Sequence, residues 1–428
     1  MHNALNQSIS PPSRADCEQL DQSDPLAHWR EAFELPDGVI YLDGNSLGPL
    51  PRTTRERVLK CVSDEWGRDL IKSWNTAGWM DLPAKVGAEI ATLIGARADE
   101  VVVADSTSVN LFKVLSAAVK MRPDRRVILS EKGNFPTDLY IAQGLTDLLD
   151  AGHELKLVER EEIPAAIDAS VAVVMLTQVD YRTGSRLNMK EITSLAHEVN
   201  AVAIWDLAHS AGAIPVDLNN ANADFAVGCG YKYLNGGPGA PAFLFVASRH
   251  ADSFTQPLSG WMGHKKPFEF GTDYEPATGV ARYLCGSPPV LSMVALDSGV
   301  QVMTKAVIGH GMDAIHAKAC RLADIFLDRL LAEDNPFGLT RLTPHDVHER
   351  GSQASLSLPD GDQAYAVVQA LIAEGIIGDF RAPNIMRFGF APLYLSHLEV
   401  YDAAEKLLQI MRDETWRQDR FLTRQAVT

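Results

Sequence analysis

Short runs of apolar residues, rich in Val, Ile and Phe, recur along the first two thirds of the chain. These runs are continuously apolar, without a polar residue at every second position. Continuous apolar runs are typical of strands covered on both faces. Segments with helical spacing of apolar residues separate these runs. The alternation predicts an α/β fold with a mainly parallel sheet and right-handed crossovers. The predicted strands are 101–103, 127–129, 171–176, 201–205 and 242–246, and the helices between them are 109–121, 137–149 and 190–200.

The pattern changes after about residue 290. Residues 312–331 carry apolar side chains on one helical stripe, and residues 353–358 alternate as a half-exposed strand does. Two further helices are predicted at 362–374 and 397–411. These elements indicate a smaller α+β domain beside the large one. The predicted organisation is an N-terminal arm that contributes to the small domain (1–60), a large domain (61–300) and a C-terminal small domain (301–428).

Composition restricts the class of protein. The chain has 428 residues, of which 46% are hydrophobic and 22% charged, which is typical of a globular protein. Its net charge of −16 repels phosphate backbones and anionic headgroups, so we expect neither nucleic acid nor a membrane as a partner. The five cysteines are scattered singly, so neither a disulfide framework nor a metal site is expected. No apolar run approaches the roughly 20 residues of a membrane helix and no secretory signal is evident, so we expect a cytoplasmic protein.

An acid and an amine follow two apolar segments between residues 201 and 246. Asp206 ends a predicted strand, and Lys232 lies among small and aromatic residues. Taken alone, Asp206 is more often a cap and Lys232 more often solvated. Together they match pyridoxal phosphate, which needs a lysine for its aldehyde and a carboxylate for its pyridine nitrogen. Partial desolvation lowers the pKa of a lysine, as a Schiff-base lysine requires.

Two turns could support such a cofactor. One passes through Ser106, Thr107 and Ser108 into a helix, whose amino terminus can bind a phosphate. An ordinary N-cap explains this turn equally well when it is taken alone. The other turn opens a helix with Phe135 and Asp138, and the Phe135 ring could stack on a flat cofactor or belong to the core.

Seven motifs occur in the order found in the kynureninase family, and the chain resembles that family from about Tyr41 to its carboxyl end. The resemblance implies a pyridoxal-phosphate-dependent hydrolase of fold type I, the aspartate-aminotransferase-like fold. The motifs are Gly44-Asn45-Ser46-Leu47-Gly48, Asn134-Phe135-Pro136-Thr137-Asp138, Trp205-Asp206-Leu207-Ala208-His209-Ser210-Ala211-Gly212, Tyr231-Lys232-Tyr233-Leu234-Asn235, Gly260-Trp261-Met262-Gly263-His264, Gly286-Ser287-Pro288-Pro289 and Arg387-Phe388-Gly389-Phe390-Ala391-Pro392-Leu393-Tyr394.

The resemblance also implies roles for single residues. Lys232 would be the Schiff-base lysine, and Asp206 would hold the pyridine nitrogen. Trp261 and Ser287 would reach the cofactor from the neighbouring subunit, which implies a homodimer with shared sites. The family carries Asn or Thr where this chain has Ser287. Serine keeps the hydroxyl that threonine would supply at this position. The other cofactor contacts implied are Thr107, Ser108, Phe135, Asp138, Thr177, His209 and Tyr231.

The activity implied is hydrolysis of L-kynurenine to anthranilate and L-alanine, in tryptophan catabolism, the kynurenine pathway and NAD biosynthesis. Lys232 would also act as the base at Cα, and Tyr231 would polarise the substrate's γ-carbonyl. Arg387 would bind the α-carboxylate, although a surface salt bridge explains Arg387 equally well without the resemblance. Ser46 and Trp74 would complete the substrate site, and the Trp74 indole favours L-kynurenine over its 3-hydroxy derivative.

Two other functions remain open from the sequence. Another enzyme of the same fold, an aminotransferase or a cysteine desulfurase, would share most of these residues, but a desulfurase needs a mobile cysteine and no spacing indicates one. A pyridoxal-phosphate-binding regulator without turnover usually carries a basic DNA-binding module. The charge of −16 and the lack of such a module argue against a regulator.

Overall fold

The structure is a computed structural model that describes residues 11–254, 256–332 and 336–424. Fifteen strands are formed in the described ranges. They are β1 (Phe33–Glu34), β2 (Ile40–Tyr41), β3 (Leu50–Pro51), β4 (Val101–Val103), β5 (Val127–Glu131), β6 (Glu154–Val158), β7 (Val171–Thr177), β8 (Val202–Asp206), β9 (Phe225–Gly228), β10 (Phe243–Val246), β11 (Thr340–Arg341), β12 (Gln353–Ser357), β13 (Ile376–Ile377), β14 (Asp379–Arg381) and β15 (Ile385–Gly389).

Helices connect and cover these strands. The α-helices are α1 (Arg14–Gln22), α2 (Arg52–Lys60), α3 (Ser73–Thr76), α4 (Leu82–Leu93), α5 (Thr107–Lys120), α6 (Pro136–Leu149), α7 (Ile163–Ala166), α8 (Met189–Glu198), α9 (Val290–His310), α10 (Met312–Leu330), α11 (Gly361–Ala373), α12 (His397–Arg412) and α13 (Asp419–Leu422). A π-helical segment spans Cys61–Asp69. The 3₁₀ turns are Ala27–Ala32, Leu70–Lys72, Arg160–Glu162, Trp261–Gly263, Gly279–Tyr283, Val347–Glu349 and Thr415–Arg417.

Seven strands form the central sheet in the order β4-β10-β9-β8-β7-β5-β6. Strand β10 is antiparallel to both of its neighbours, and the other adjacent pairs are parallel. The mainly parallel α/β fold predicted from the sequence is therefore confirmed. Strands β6 and β9 were not predicted. Strand β6 lies at the sheet edge and carries charged residues, whereas β9 has only four residues.

Helices cover both faces of this sheet, which explains why its strands are continuously apolar. Along β8, Val202 and Ile204 pack into one hydrophobic cluster with α5 and α6. Ala203 and Trp205 pack into a second cluster that includes α4, α8 and α9. Successive side chains of a strand point to opposite faces, so both faces need apolar residues here.

The C-terminal part of the chain forms an antiparallel sheet in the order β11-β12-β15-β14. The prediction that residues 353–358 form a half-exposed strand is wrong, because four of the five residues of β12 are buried. Helix α10 packs against β12. The preceding Ser352 hydroxyl donates to the carbonyl of Ala213 in the large domain at 2.7 Å, so the beginning of this strand faces the other domain.

The N-terminal segment contacts both domains. Strand β2 pairs with β13 of the C-terminal part. Seven residues after this strand, the Gly48 amide donates to the carbonyl of Tyr231 at 2.8 Å. A Cβ atom at Gly48 would lie 2.4 Å from the carbonyl oxygen of Lys232, so only glycine permits this approach. The segment thus joins the small domain to the backbone of the predicted lysine.

Continuous helices cross both predicted domain boundaries. Helix α2 runs into the π-helical segment across residues 60–61, and α9 crosses residues 300–301. Within the described ranges, α9 alone is long and apolar enough to span a membrane, so the expectation of no such stretch is wrong. More than half of the apolar stretch of α9 is buried inside the protein, and the helix packs against α2 and α4. A buried core helix meets the same length and composition test.

A buried carboxylate, Asp224, fixes the start of β9 beside β8. It accepts hydrogen bonds from the Ala203 amide (2.8 Å), His197 Nε2 (2.8 Å), His250 Nε2 (2.7 Å) and Arg249 (2.6 Å). Burial raises the pKa of this carboxyl, but the hydrogen bonds outweigh burial and hold the pKa well below its usual range. The network therefore holds the strand that ends at Asp206.

We expect Asp224→Ala to lower the free energy of unfolding by about 3–5 kcal/mol, because the substitution leaves Arg249, two imidazoles and the Ala203 amide without their buried acceptor. Denaturant titration measures this loss. Asp99→Ala is the matched control: Asp99 pairs with Arg97 at 3.2 Å and both side chains are exposed, so the loss should stay under about 1 kcal/mol. Equal losses in the two variants would contradict a structural role for the Asp224 network.

Candidate functional site

The predicted lysine and acid meet at the carboxyl-terminal edge of the central sheet. Strand β8 ends at Asp206, and the loop after it carries His209. The parallel neighbour β9 ends at Gly228, and the loop after it carries Tyr231 and Lys232. Lys232 Nζ lies 2.9 Å from His209 Nε2 and 5.9 Å from the centroid of the Tyr231 ring. Ligands of open α/β sheets bind at this edge.

A second carboxyl lies beside Asp206. Thr177 ends β7 and pairs with Asp206 in the register of β7 and β8. Asp138, in the first turn of α6, is buried and shares a side-chain hydrogen bond with Asp206. Thr177 Oγ1 lies 3.4 Å from Asp138 Oδ2 and 2.5 Å from Asn134 Oδ1. The Ala208 amide donates to Asp206 Oδ1 at 2.7 Å.

Burial shifts the pKa of four groups at this edge: Asp138, Asp206, His209 and Lys232. It raises the pKa of Asp138 well above its usual range, and the charge of Asp206 raises it further. Burial also raises the pKa of Asp206, but the Ala208 amide and Lys232 oppose that rise. Burial lowers the pKa of Lys232 and lowers that of His209 well below its usual value. At neutral pH the arrangement therefore favours a protonated Asp138 and a neutral His209.

The predicted phosphate turn opens α5. The Ser106 hydroxyl accepts from the Val109 amide at 3.3 Å, and Thr107 and Ser108 begin the helix, where amides have no intrahelical partner. The fully buried Lys113 pairs with Asp105 and donates to the carbonyl of Tyr283 at 2.7 Å. This lysine fixes the turn against the segment that leads to Ser287. A cavity of about 590 Å³ is lined by residues that include Ser106, Tyr231, Met262 and Ser287.

The three aromatic residues predicted for the site, Phe135, Trp74 and Trp261, differ in their surroundings. Phe135 is exposed and contacts Tyr181 edge-on at 5.1 Å, so its ring face is partly open. The ring partner of Trp74 is Trp79 at 5.8 Å, and that of Trp261 is Phe268 at 5.7 Å. Among the described residues of one chain, therefore, neither tryptophan makes a ring contact with the sheet edge that carries Lys232, Asp206 and His209 (the lysine edge). Their roles, including substrate selection by Trp74, stay predictions.

Arg387 lies in β15 and is buried, so its interpretation as a surface salt bridge is wrong. Its Nη2 pairs with Asp379 and donates to Ser46 Oγ at 2.8 Å, while Nη1 donates to the carbonyl of Tyr181 at 2.8 Å. Nε is buried and has no hydrogen-bond partner in the described part of the chain. The guanidinium is thus held in place with its Nε–H still free to donate.

A second arginine lies beside Arg387. Arg381 pairs with the same Asp379 at 2.7 Å. Burial and the charge of Asp379 raise the pKa of the nearby Asp43 to about 7. Two guanidinium groups therefore face Asp379 and an Asp43 carboxyl whose raised pKa weakens its negative charge. The remaining positive charge suits the carboxylate of a ligand.

Several residues of the site were missed from the sequence. Asn134 is adjacent to Phe135 in a quoted motif, and that position was the available signal. Asp379 and Gln353 lie in strands β14 and β12 of the small domain and belong to no motif. Gln353 reaches the carbonyl of Tyr181 across 172 residues of sequence, and Asp379 reaches Ser46 across 333.

These groups fit pyridoxal phosphate. The cofactor needs an amine, an acid for its pyridine nitrogen, an aromatic neighbour and a phosphate site. The edge supplies Lys232, the Asp206–Asp138 pair, Phe135 and the start of α5, and the buried Nδ1 of His209 has no hydrogen-bond partner in the described ranges. Fold and site together define a pyridoxal-phosphate-dependent enzyme of fold type I.

Comparison with known proteins identifies the family. A family model described as the kynureninase C-terminal domain matches residues 315–407. The kynureninase of Pseudomonas fluorescens is 51% identical over 421 residues, covering 97% of this chain and 100% of that protein. A kynureninase of Burkholderia mallei (strain SAVP1) is 51% identical over 423 residues with the same coverage. The chain belongs to the kynureninase family, which confirms the resemblance seen in its motifs.

Solved structures of other proteins share the fold. The cysteine desulfurase CsdA of Escherichia coli superposes with a TM-score of 0.75 at 18% identity, covering 91% of this chain and 99% of that one. A C-DES variant with glycine covalently linked to its pyridoxal phosphate has a TM-score of 0.72 at 16% identity, covering 92% and 99%. At these identities the likeness shows the fold alone.

The raised pKa of Asp138 predicts a pH-dependent stability difference. Between the ordinary carboxyl pKa near 4 and the raised folded value, the folded state keeps a proton that the unfolded state loses, so wild-type stability falls as pH rises. Asp138→Asn removes this dependence. Relative to wild type, the variant should therefore gain stability from pH 4 towards neutrality, by at most about 1.4 kcal/mol per pH unit.

Denaturant titrations of both proteins across this pH range measure the difference. Asp124→Asn, at an exposed position, should show no such trend. A difference between Asp138→Asn and wild type that does not vary with pH would mean that Asp138 is ionised in the folded protein.

Proposed function

We propose that this protein is a pyridoxal-phosphate-dependent hydrolase that cleaves L-kynurenine with water to anthranilate and L-alanine. One observation carries the proposal: Lys232 lies at the sheet edge with Asp206 and His209, in a chain that is 51% identical to a kynureninase over that protein's whole length. The fold supplies the class of cofactor, and the family supplies the substrate.

The residues of the lysine edge have separate roles in this proposal. When bound, pyridoxal phosphate supplies a carbonyl for the substrate amine and a ring that accepts electrons. Asp206 holds the pyridine nitrogen, and the beginning of α5 holds the phosphate. Lys232 holds the cofactor and, once free, removes the proton from Cα. Its lowered pKa makes the neutral amine available for both tasks.

Arg387 and Tyr231 act on other parts of the substrate. The Arg387 guanidinium, held by Asp379, Ser46 and Tyr181, binds the α-carboxylate through donors that include Nε. Burial raises the pKa of Tyr231, so its phenol keeps the proton that polarises the γ-carbonyl. Water would add its oxygen to that carbon, which becomes the carboxylate of anthranilate, as the Cβ–Cγ bond breaks. The electron pair of that bond would stay with Cβ, which takes up a proton to become the methyl group of L-alanine.

The cysteines argue against a desulfurase. Such an enzyme needs a mobile cysteine that carries a persulfide to an acceptor. Cys17, Cys61, Cys229 and Cys320 are buried, and Cys285 is only partly exposed. The Met262 amide donates to the carbonyl of Cys285 at 3.2 Å, which restrains that segment.

The test is product formation from L-kynurenine, followed by anthranilate fluorescence and an alanine assay. The wild-type protein with bound cofactor should form both products in equal amounts. Lys232→Ala should lose nearly all turnover and the visible absorbance of the bound cofactor, because the amine that holds the cofactor is gone. Lys266→Ala, at an exposed lysine, should behave as wild type. No anthranilate from cofactor-loaded wild type, or sulfide release from cysteine, would reject the proposal.

We also propose a homodimer with shared sites. Exposed apolar side chains support it. Trp66, Leu70 and Ile71 follow α2, Phe268 lies beside Trp261, and Phe270 lies beside Phe268. Exposed apolar clusters of this kind commonly mark subunit interfaces. In such a dimer, Trp261 of one subunit would contact the lysine edge of the neighbouring subunit.

Mixing two inactive variants tests shared sites. Lys232→Ala lacks the lysine, and Trp261→Ala lacks the residue predicted to cross between subunits. Because a heterodimer would contain one intact site, the mixture should regain activity after subunit exchange, up to about a quarter of wild type per chain when random pairing forms equal numbers of hetero- and homodimers. Absence of recovery after exchange has been verified by labelled subunits would show that each site is built within one chain.

A further inference from the structure

A small-domain glutamine lies behind His209. Gln353 begins β12 and is buried, and its Nε2 donates to the carbonyl of Tyr181 at 3.0 Å and to that of Asp180 at 3.4 Å. Both neighbours are acceptors, so they fix the amide with its nitrogen towards them and its oxygen away from them. The Tyr181 carbonyl also accepts from Arg387, which connects this glutamine to the substrate-carboxylate site.

The amide oxygen of Gln353 and a ring nitrogen of His209 both lack a hydrogen-bond partner in the described ranges. These two atoms, Gln353 Oε1 and His209 Nδ1, are both buried. The Gln353 side chain is near enough to His209 to oppose, in part, the lowering of the imidazole pKa by burial. An amide oxygen can only accept, so a favourable contact requires the proton on Nδ1.

The position of that proton determines what Lys232 meets. With the proton on Nδ1, a neutral imidazole presents a lone pair at Nε2. Nε2 lies 2.9 Å from Lys232 Nζ, so it accepts a hydrogen bond from the lysine. With the proton on Nε2 instead, the imidazole N–H would face the lysine ammonium, and both groups would be donors.

We propose that Gln353 is a positioning residue that holds His209 in the Nδ1–H form, so that Nε2 accepts from Lys232 and adjusts the protonation of that amine. The small domain thereby acts on the lysine of the large domain. Other groups that face the pair are Asp206, Cys229, Arg381 and Arg387. The inference rests on the proposed role of Lys232 as the lysine that binds the cofactor.

The rate at which cofactor-free protein takes up pyridoxal phosphate measures this effect without turnover. Only the neutral amine reacts, so the pH midpoint of the uptake rate, followed by visible absorbance, reports the shared titration of Lys232 and His209. Gln353→Met removes both the donor and the acceptor of the amide. Gln353→Glu removes the donor to the carbonyls but keeps an oxygen towards His209.

The two variants should shift the midpoint in opposite directions. Gln353→Met should lower it by about half to one pH unit, because the lysine ammonium loses its acceptor. Gln353→Glu should raise it, because a carboxylate favours the protonated pair. A role limited to bracing the Asp180–Tyr181 turn predicts the same effect from both, since both lose the Nε2 hydrogen bonds. Gln353→Leu replaces the methionine variant if that one does not fold.

Two controls separate the possible causes. Gln369→Met makes the same change on α11 of the small domain and should leave the midpoint unchanged. In a His209→Asn background, Gln353→Met should have no further effect, because the imidazole that transmits it is absent. An unchanged midpoint in Gln353→Met, or a shift that persists without His209, would overturn the proposal. No uptake by wild type would instead reject the role of Lys232 and the proposal with it, whereas wild-type uptake with unshifted variants would reject the positioning role alone.

Discussion

Removal of water from the carboxyl-terminal edge of the central sheet is the constraint on which the rest of the structure depends. Parallel strands β7 and β8 deliver Thr177 and Asp206 to adjacent positions, and the loop after β9 brings Lys232 beside His209. Helices on both faces bury the strands that carry these residues. Because these ionisable groups are buried and close together, their pKa values shift and their titrations are coupled.

Two further parts of the chain complete this edge. The N-terminal segment brings Gly48 against the backbone of Lys232, and Ser46 against Arg387. The small domain brings Arg387, together with Asp379 as its fixed counter-ion. A buried guanidinium paired with a buried carboxylate is costly to move, which suits the role proposed for Arg387, binding a substrate carboxylate in one orientation. The proposed cofactor lysine and the proposed carboxylate site are therefore set by different domains, and the Tyr181 carbonyl accepts from both Arg387 and Gln353 of the small domain.

The sequence was informative where one local property decides the structure. Continuous apolar runs predicted β4, β5, β7, β8 and β10 because both faces of those strands are covered, and the motifs identified the family. The exposure of residues 353–358 was mispredicted because Ser and Gln at buried positions read as solvent-facing when the large domain that covers them is unknown. Strand β6 was missed for the opposite reason, since an edge strand keeps its charged residues.

The residues of the site also divide into those marked by a local motif and those placed by distant contacts. Lys232, Asp206 and His209 belong to motifs and were found. Gln353 and Asp379 owe their places to contacts across 172 and 333 residues of sequence, and no local pattern reports such contacts. The roles of Trp74 and Trp261 stay predictions, and the role predicted for Trp261 requires a neighbouring subunit that one chain does not contain. Pairings between distant segments and between subunits are thus the part that sequence patterns leave open.

The central claim is that burial keeps a proton on one carboxyl of the Asp138–Asp206 pair while the other remains charged. Difference infrared spectroscopy between wild type and Asp138→Asn at neutral pH, without added cofactor, tests it directly. The account predicts a protonated-carboxyl band in wild type that the variant lacks and that disappears only at a pH well above the usual aspartate range. Identical spectra in that region, with both carboxyls ionised at neutral pH, would contradict it.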